Sequence, residues 1–513
     1  MLSAYEKPFW FDEILTVIMC RIPSVSKLWQ ALNNAADTNP PLFYLIAGWA
    51  HRLIPGDHVA YRFPSILGLL AAIFCTYLIL CRRIDRLSAI VGAAFLLCTP
   101  LVSYAVEARP YALVAGFVSI AILAWQRTDE SKLYSILMGV ALAIALSLHY
   151  YAIFVWPAFA LAEATVWLHG RRFRIGTWIA LVLGTAPLFI FAPLLIHLRR
   201  YYGRNFWSRP SFGQIFSAPS ALYNFLDYWV WCFTIGVIAV LVLWSLRKSV
   251  KGYLSEPREA GEPALPIEES ALIAVLLLLP VFAVLAAKVS GAGMAFRYML
   301  PTVLGASLAV GFLTNRASRA VRVVVLILVL ANYGLSSLPV MKKALTGSLL
   351  ARRVAAARQG SAILAEYQKF GLPIVIGRGS NYLPMIYYMP AGQTASLYAL
   401  ADPHAAARYL GSDSADLALL ALRPYFPLQV EDYHSFASKN REFILVSLHA
   451  QRPDWWPFRL SHDGDTLTVV SADKGRQVYK VTLNSQQVPD SEGPAGTEGA
   501  DTDSQEPAGE TDH

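Results

Sequence analysis

Ten long apolar segments run through this chain, each near the roughly 17–25 residues that a membrane-crossing helix needs. They fall at about 62–81, 88–106, 110–126, 133–148, 150–168, 177–197, 228–246, 271–289, 297–314 and 322–339. With 56% hydrophobic residues among 513, the sequence exceeds the about 45–50% apolar usage of soluble domains. It reads as an α-helical polytopic membrane protein with about ten transmembrane helices plus interfacial helices.

Two neighbouring pairs of segments are nearly continuous. A single helix over 133–168 would be about 54 Å long, well past a hydrocarbon core of about 30 Å. The chain must therefore turn near His149-Tyr150, and again at Arg109-Pro110, where proline favours a helix start. Arg82, Arg83, Arg86, Arg127, Lys132, Arg171, Arg172, Arg174, Arg247, Lys248, Lys251, Arg258, Arg316 and Arg319 all fall in alternate loops. The positive-inside rule puts those loops in the cytoplasm, and the other loops and both termini outside. Arg109, Arg199, Arg200, Arg204, Arg209, Lys288 and Arg297 break that rule. Basic residues kept on the disfavoured side suit an anionic ligand, or headgroup contact by snorkelling side chains.

Four regions are expected. Residues 1–61 form an extracytoplasmic first loop with interfacial helices. Within it the apolar run Leu42–Ile54 is too short to span and is read as interfacial or re-entrant. Residues 62–340 form the transmembrane domain. Residues 341–488 form a small C-terminal α/β domain outside the membrane, with strands predicted at 373–377, 416–421, 442–448, 466–470 and 477–483 and helices near 349–371, 402–411 and 431–440. Residues 489–513 carry eight acids and no Lys or Arg and read as a disordered tail. The net charge of +8 thus understates how basic the remainder is, which suits phosphates or anionic lipids. The five cysteines show no metal or disulfide spacing, and residues 1–10 lack the apolar core of a signal peptide.

The chemistry-bearing residues gather at the ends of segments on one face. Asp12 and Glu13 follow Phe9-Trp10-Phe11; a carboxylate against apolar surroundings has a raised pKa and takes a proton from a hydroxyl. Glu107 and Arg109 share a short turn, either as a local ion pair or with Arg109 holding a phosphate oxygen and Glu107 orienting the acceptor. His149 opens another outer turn. Arg297, beside Tyr298, enters a segment from the same side with Lys288 nearby in sequence. The C-terminal domain shows no phosphate-binding glycine fingerprint or nucleophile elbow, and is read as a lid or docking platform.

Taken together, Trp10-Phe-Asp12-Glu13 with Thr16, Asn39-Pro40-Pro41-Leu-Phe-Tyr44, Arg62-Phe-Pro-Ser65, Tyr104 to Tyr111, His149-Tyr150 and Arg297-Tyr298 resemble the polytopic GT-C glycosyltransferases. The likeness is to the bacterial branch similar to protein mannosyltransferases and aminoarabinose transferases, and covers about residues 9–314. The chain departs from that pattern in two places. Members usually have a transmembrane helix before the Asp-Glu loop, where this chain has eleven residues, and often a His where it has Asn39.

The resemblance implies a sugar donor on polyprenyl phosphate, used at the outer face of the cytoplasmic membrane. Asp12, with Glu13 beside it, would be catalytic, as base or acceptor-orienting acid. Arg109, Arg297 and Lys288 would bind the donor phosphate, and Glu107, His149, Tyr104 and Tyr298 would orient substrate. The expected acceptor is a glycan, lipid or protein hydroxyl; membrane lipids are further partners and nucleic acid is not one. No cofactor is called for, although Asp12, Glu13 and Glu107 could share a divalent metal with phosphate oxygens. A transporter or flippase of lipid-linked saccharides is the alternative, and would need charged or broken helices at mid-membrane. A non-catalytic membrane scaffold is a third.

Overall fold

The computed structural model describes residues 2–169, 173–203, 205–222, 265–448, 454–473 and 475–484. The span expected at 228–246, its flanking basic residues 247–258, Arg171, Arg172, Arg204 and the tail 489–513 lie outside the described residues.

Helix α1 (Leu2–Glu6) leads into three helices before the first long one: α2 (Phe11–Cys20), α3 (Val25–Asn33) and α4 (Leu42–Leu53). The bundle follows with α5 (Asp57–Cys81), α6 (Arg86–Phe95), α7 (Leu101–Ala105), α8 (Tyr111–Trp125), α9 (Lys132–Leu148), α10 (Trp156–Leu168), α11 (Ile175–Leu183), α12 (Ala186–Ile190), α13 (Ala192–Tyr202) and α14 (Gly213–Leu222). After the undescribed stretch come α15 (Ile267–Leu277), α16 (Leu279–Ser290), α17 (Thr302–Asn315) and α18 (Arg319–Leu345). Among the described residues three helical stretches, 57–81, 150–168 and 319–345, are long and apolar enough to cross a membrane, or five if two bent pairs count as one span each.

Proline explains most of the shortening relative to the expected ten. The 88–106 segment breaks at Thr99-Pro100 between α6 and α7, and 271–289 bends by 53° where Pro280 opens α16. The 177–197 segment bends by 52° ahead of α13, whose second residue is Pro193. Both anticipated turns are present: Pro110 caps α8, and His149 ends α9 in extended backbone before a 3-10 turn over Tyr150–Val155.

At the centre of the bundle α5 crosses α8 through glycines. A Cβ on Gly68 would lie 2.4 Å from Leu113 Cα, and one on Gly116 2.7 Å from Gly68 O. Small residues let backbones approach where the hydrophobic effect cannot drive helices together.

Beyond α18, α19 (Ser348–Tyr367) leads to a six-stranded sheet of order β3-β2-β1-β4-β6-β5. Its strands are β1 (Ile374–Ile376), β2 (Leu397–Ala401), β3 (Val430–Asp432), β4 (Glu442–Leu448), β5 (Thr466–Asp473) and β6 (Arg476–Thr482). The first four are parallel, with Ile374 opposite Leu397 and Ile444; β6 and β5 add antiparallel. Helices α20 (Gly379–Tyr388), α21 (Pro403–Leu410), α22 (Ser414–Leu422), α23 (Tyr433–Lys439) and α24 (Trp456–His462) cover it. The strand expected at 416–421 is instead part of α22. Its Asp-Leu-Ala-Leu-Leu-Ala has no β-branched residue, and Leu and Ala are strong helix formers.

Candidate active site

Successive residues on a helix point about 100° apart, and this separates the two acids at the start of α2. Glu13 turns inward and is 0% exposed. Its carboxylate takes Arg62 Nε at 2.7 Å and Nη2 at 2.8 Å, and the Ala108 backbone N–H at 2.7 Å. The remaining Arg62 nitrogen donates to the Ala4 and Lys7 carbonyls at 2.6 and 2.9 Å. Burial is the largest single influence and would raise the Glu13 pKa, but the Arg62 guanidinium, the Lys7 charge and the Ala108 N–H together outweigh it and the net shift is downward. Glu13 is therefore an enclosed anion that ties α2, α5 and the 107–109 turn together. This departs from the expectation of Glu13 as a catalytic partner of Asp12: no face of its carboxylate is open to a substrate.

Asp12 points the other way, with its side chain 16% exposed. Its Oδ2 lies 3.0 Å from Arg297 Nη2 and 3.8 Å from Arg109 Nη2. Among the described residues no hydrogen bond reaches Oδ2, which is buried between the two cations. Arg109 is held from behind, its Nη1 donating to Asp37 Oδ2 at 3.1 Å, Thr16 Oγ1 at 3.0 Å and Asp12 O at 3.2 Å. Asp37, 2% exposed, is a member of the site that the sequence reading missed. Its place two residues before Asn39-Pro40-Pro41 was the available signal. Arg297 stands among four aromatic rings, at 5.6 Å from Trp10, 5.7 Å from Tyr111, 5.0 Å from Trp207 and 5.8 Å from Tyr298. Among the described residues, buried polar atoms without a hydrogen-bond partner include Asn39 Nδ2 and Tyr111 OH. An unpaired buried polar atom costs about 1–3 kcal/mol, which a hydrogen bond to a polar ligand would offset.

The other expected residues divide. Glu107 forms no local pair with Arg109; it meets Lys7 Nζ at 3.3 Å. Burial, reinforced by the Glu13 charge, pushes the Glu107 pKa up despite Lys7. Tyr104 packs edge-on against Tyr111 at 5.3 Å, and His149 packs on Tyr298 at 4.9 Å and Tyr111 at 5.4 Å. These rings line the Arg297 side of the site. Lys288 does not join: it is exposed on α16 and sits 4.3 Å over the Phe212 ring. Among the described residues no three His, Cys, Asp or Glu side chains converge as a metal set. Asp12, Glu13 and Glu107 face separate cations, Arg297, Arg62 and Lys7.

Burial, followed by the Arg109 and Arg297 charges, lowers the His149 pKa from the usual 6.5 to about 3. The imidazole is neutral in the folded protein at neutral pH. Because the unfolded chain gains a proton below 6.5 that the folded one refuses, this residue lowers stability as pH falls from 6.5 toward 3. Melting temperatures of His149→Gln across that window should decline less steeply than wild type; parallel curves would contradict the assignment.

The far end of the bundle carries a second set of pairs. Arg83 meets Glu269 at 2.7 Å, Arg82 meets Glu130 at 2.5 Å, Arg174 meets Glu163 at 2.5 Å, and Arg322 meets Asp85 at 2.5 Å. Arg82, Arg83, Asp85, Glu130 and Arg174 come from loops that alternate with those at the Asp12 site, and Glu163, Glu269 and Arg322 from α10, α15 and α18 near those loops, so ionisable groups sit at both ends of the helices.

Residues 38–197 match the family model described as dolichyl-phosphate-mannose-protein mannosyltransferase. The whole chain is similar in fold to ArnT from Cupriavidus metallidurans. The apo crystal structure of that protein aligns at a TM-score of 0.56 with 14% identity, over 93% of this chain and 95% of that one. Its structure bound to undecaprenyl phosphate aligns at 0.51 with 15% identity, over 95% and 96%. The chain thus resembles that mannosyltransferase family over residues 38–197 and shares its fold with ArnT. Among curated proteins none matches it in sequence. The matched segment includes Arg62, the 107–109 turn and His149.

Proposed function

We propose that the chain transfers a sugar from a polyprenyl-phosphate donor to an acceptor hydroxyl with inversion at the anomeric carbon, at the outer face of the cytoplasmic membrane. The observation that carries this reading is the Asp12 carboxylate lying between Arg109 and Arg297 with Oδ2 engaged by no hydrogen-bond donor. Undecaprenyl phosphate bound to the ArnT relative supports the donor class.

In the reaction, Asp12 takes the proton of the acceptor hydroxyl, whose oxygen then bonds to the anomeric carbon. The bond from that carbon to the phosphate oxygen breaks, and its electron pair leaves with the lipid phosphate. Arg297 and Arg109 offset the charge that grows there, which is where preorganised cations lower a barrier most. Asp37 keeps Arg109 aimed while leaving its Nε unpartnered. Trp10, Trp207, Tyr111 and Tyr298 give the sugar and the first isoprene unit an apolar wall. Acceptors in view are a glycan, a lipid or a protein. The test is incubation of the purified chain in nanodiscs with a panel of labelled polyprenyl-phosphate sugars. Release of free polyprenyl phosphate is expected with one of them, and its absence with every donor would overturn the reading.

Arg297 offers the clearest test of phosphate binding, because Arg109 has Asp37 as a second partner. Arg297→Ala should raise the donor KM about 10- to 100-fold, the worth of a charge-assisted hydrogen bond of about 1.5–3 kcal/mol. An unchanged KM would remove Arg297 from the phosphate site.

A further inference from the structure

Helix α20 belongs to the sheet-bearing part of the chain, yet its last two residues touch both ends of the helix that carries Asp12. Trp10, which caps α2, has no side-chain oxygen to hold the helix start, so the backbone there depends on its neighbours. Glu13 takes the Trp10 N–H at 3.4 Å, and the Tyr388 hydroxyl takes the Phe9 N–H at 2.8 Å. The same hydroxyl lies within hydrogen-bond reach of His58 Nε2, at 3.0 Å. The Phe9 ring in turn stacks on His58 at 4.1 Å and 5°. At the other end of α2, the C-capping residue Arg21 donates to Tyr387 OH at 3.3 Å, lies 5.7 Å from its ring, and pairs with Asp57 at 3.0 Å. Phe9 also meets the Tyr387 ring edge-on at 6.1 Å. Because α20 opens two residues after β1, the central parallel strand fixes where these tyrosines stand.

We propose that Tyr388, with Tyr387 beside it, is a positioning residue for Asp12: the C-terminal domain sets the placement of the catalytic helix from outside the bundle. The inference rests on Asp12 acting on the acceptor, and deepens that reading by giving the soluble domain a part in catalysis. Neither tyrosine reaches the Arg109–Arg297 pair, so their loss should act on the placement of Asp12 and not on donor binding.

The test compares Tyr388→Phe and Tyr387→Phe with Tyr479→Phe, a sheet tyrosine bonded to Gln477, in the folded full-length chain. Tyr388→Phe should lower kcat about tenfold, as misplacing a reacting group by a fraction of an ångström does. Its donor KM should stay within about twofold, Tyr387→Phe should show a smaller loss of the same kind, and Tyr479→Phe should match wild type. Amide hydrogen exchange at residues 9–13 should be faster in Tyr388→Phe, a readout that needs no donor. Unchanged exchange, a loss that appears only in KM, or an equal loss in Tyr479→Phe would each overturn the proposal. Wild type without turnover alongside faster exchange in Tyr388→Phe would instead count against the transferase reading alone.

Discussion

Replacing Asp12 with Asn should abolish most transfer while improving affinity for the donor. General-base removal costs about 10²- to 10⁴-fold in rate, so kcat should fall by about 10³-fold. The donor KM should fall with it. The Asp12 carboxylate lies between the two guanidinium groups proposed to hold the phosphate, 3.0 Å from one and 3.8 Å from the other. An uncharged amide leaves both cations free for the lipid phosphate. The fold should tolerate the change, because Arg109 keeps Asp37 and Thr16 as partners. A loss seen only as a raised KM would mean that Asp12 binds substrate and does not act on the acceptor. Steady-state rates at varied donor concentration separate the two cases.

The neighbouring residue should behave in the opposite way. Glu13→Ala leaves the Arg62 guanidinium, 0% exposed, facing backbone carbonyls and the Phe9 ring with its carboxylate partner gone. Breaking a buried ion pair by deleting one partner costs about 3–5 kcal/mol, a large part of the about 5–15 kcal/mol that holds a domain folded. The expected result is a protein that loses monodispersity and melts far below wild type, where Asp12→Asn melts normally. Replacing Glu13 and Arg62 together with leucine should be less damaging than either single truncation, because no unpaired charge remains. Near-normal melting of Glu13→Ala with lost turnover would reverse the assignment and return Glu13 to the chemistry.

That contrast shows where the sequence was legible and where it was not. Convergence of Asp12, Arg109, His149 and Arg297 could be read because the last three stand where apolar segments begin or end and Asp12 lies in the outer first loop, and the length limit on spanning helices forces turns at Arg109-Pro110 and His149-Tyr150. The division of labour between Asp12 and Glu13 could not, because it depends on which side of α2 meets Arg62, 49 positions away. Nothing in the Arg62-Phe-Pro-Ser65 motif points to Glu13 as the partner of Arg62, and Asp37 is marked only by its place two residues before Asn39, which does not point to Arg109. Lys288 was drawn in by nearness in sequence to Arg297, but α16 ends at Ser290 and turns through Gly291 before Arg297 is reached, and the lysine is left outside. In the sheet, β4, β5 and β6 carry the β-branched residues that signal strands. Leu397–Ala401 does not, and becomes β2 only because it pairs with β1 and β3 on both sides.

Equilibrium binding of undecaprenyl phosphate to the purified chain tests the account most directly, since it needs neither the sugar nor the acceptor. The lipid should bind Asp12→Asn more tightly than wild type and Arg297→Ala at least about tenfold more weakly, in line with the loss of one charge-assisted contact. Equal affinity in all three proteins would contradict a phosphate seat between Arg109 and Arg297, and with it the role given to Asp12.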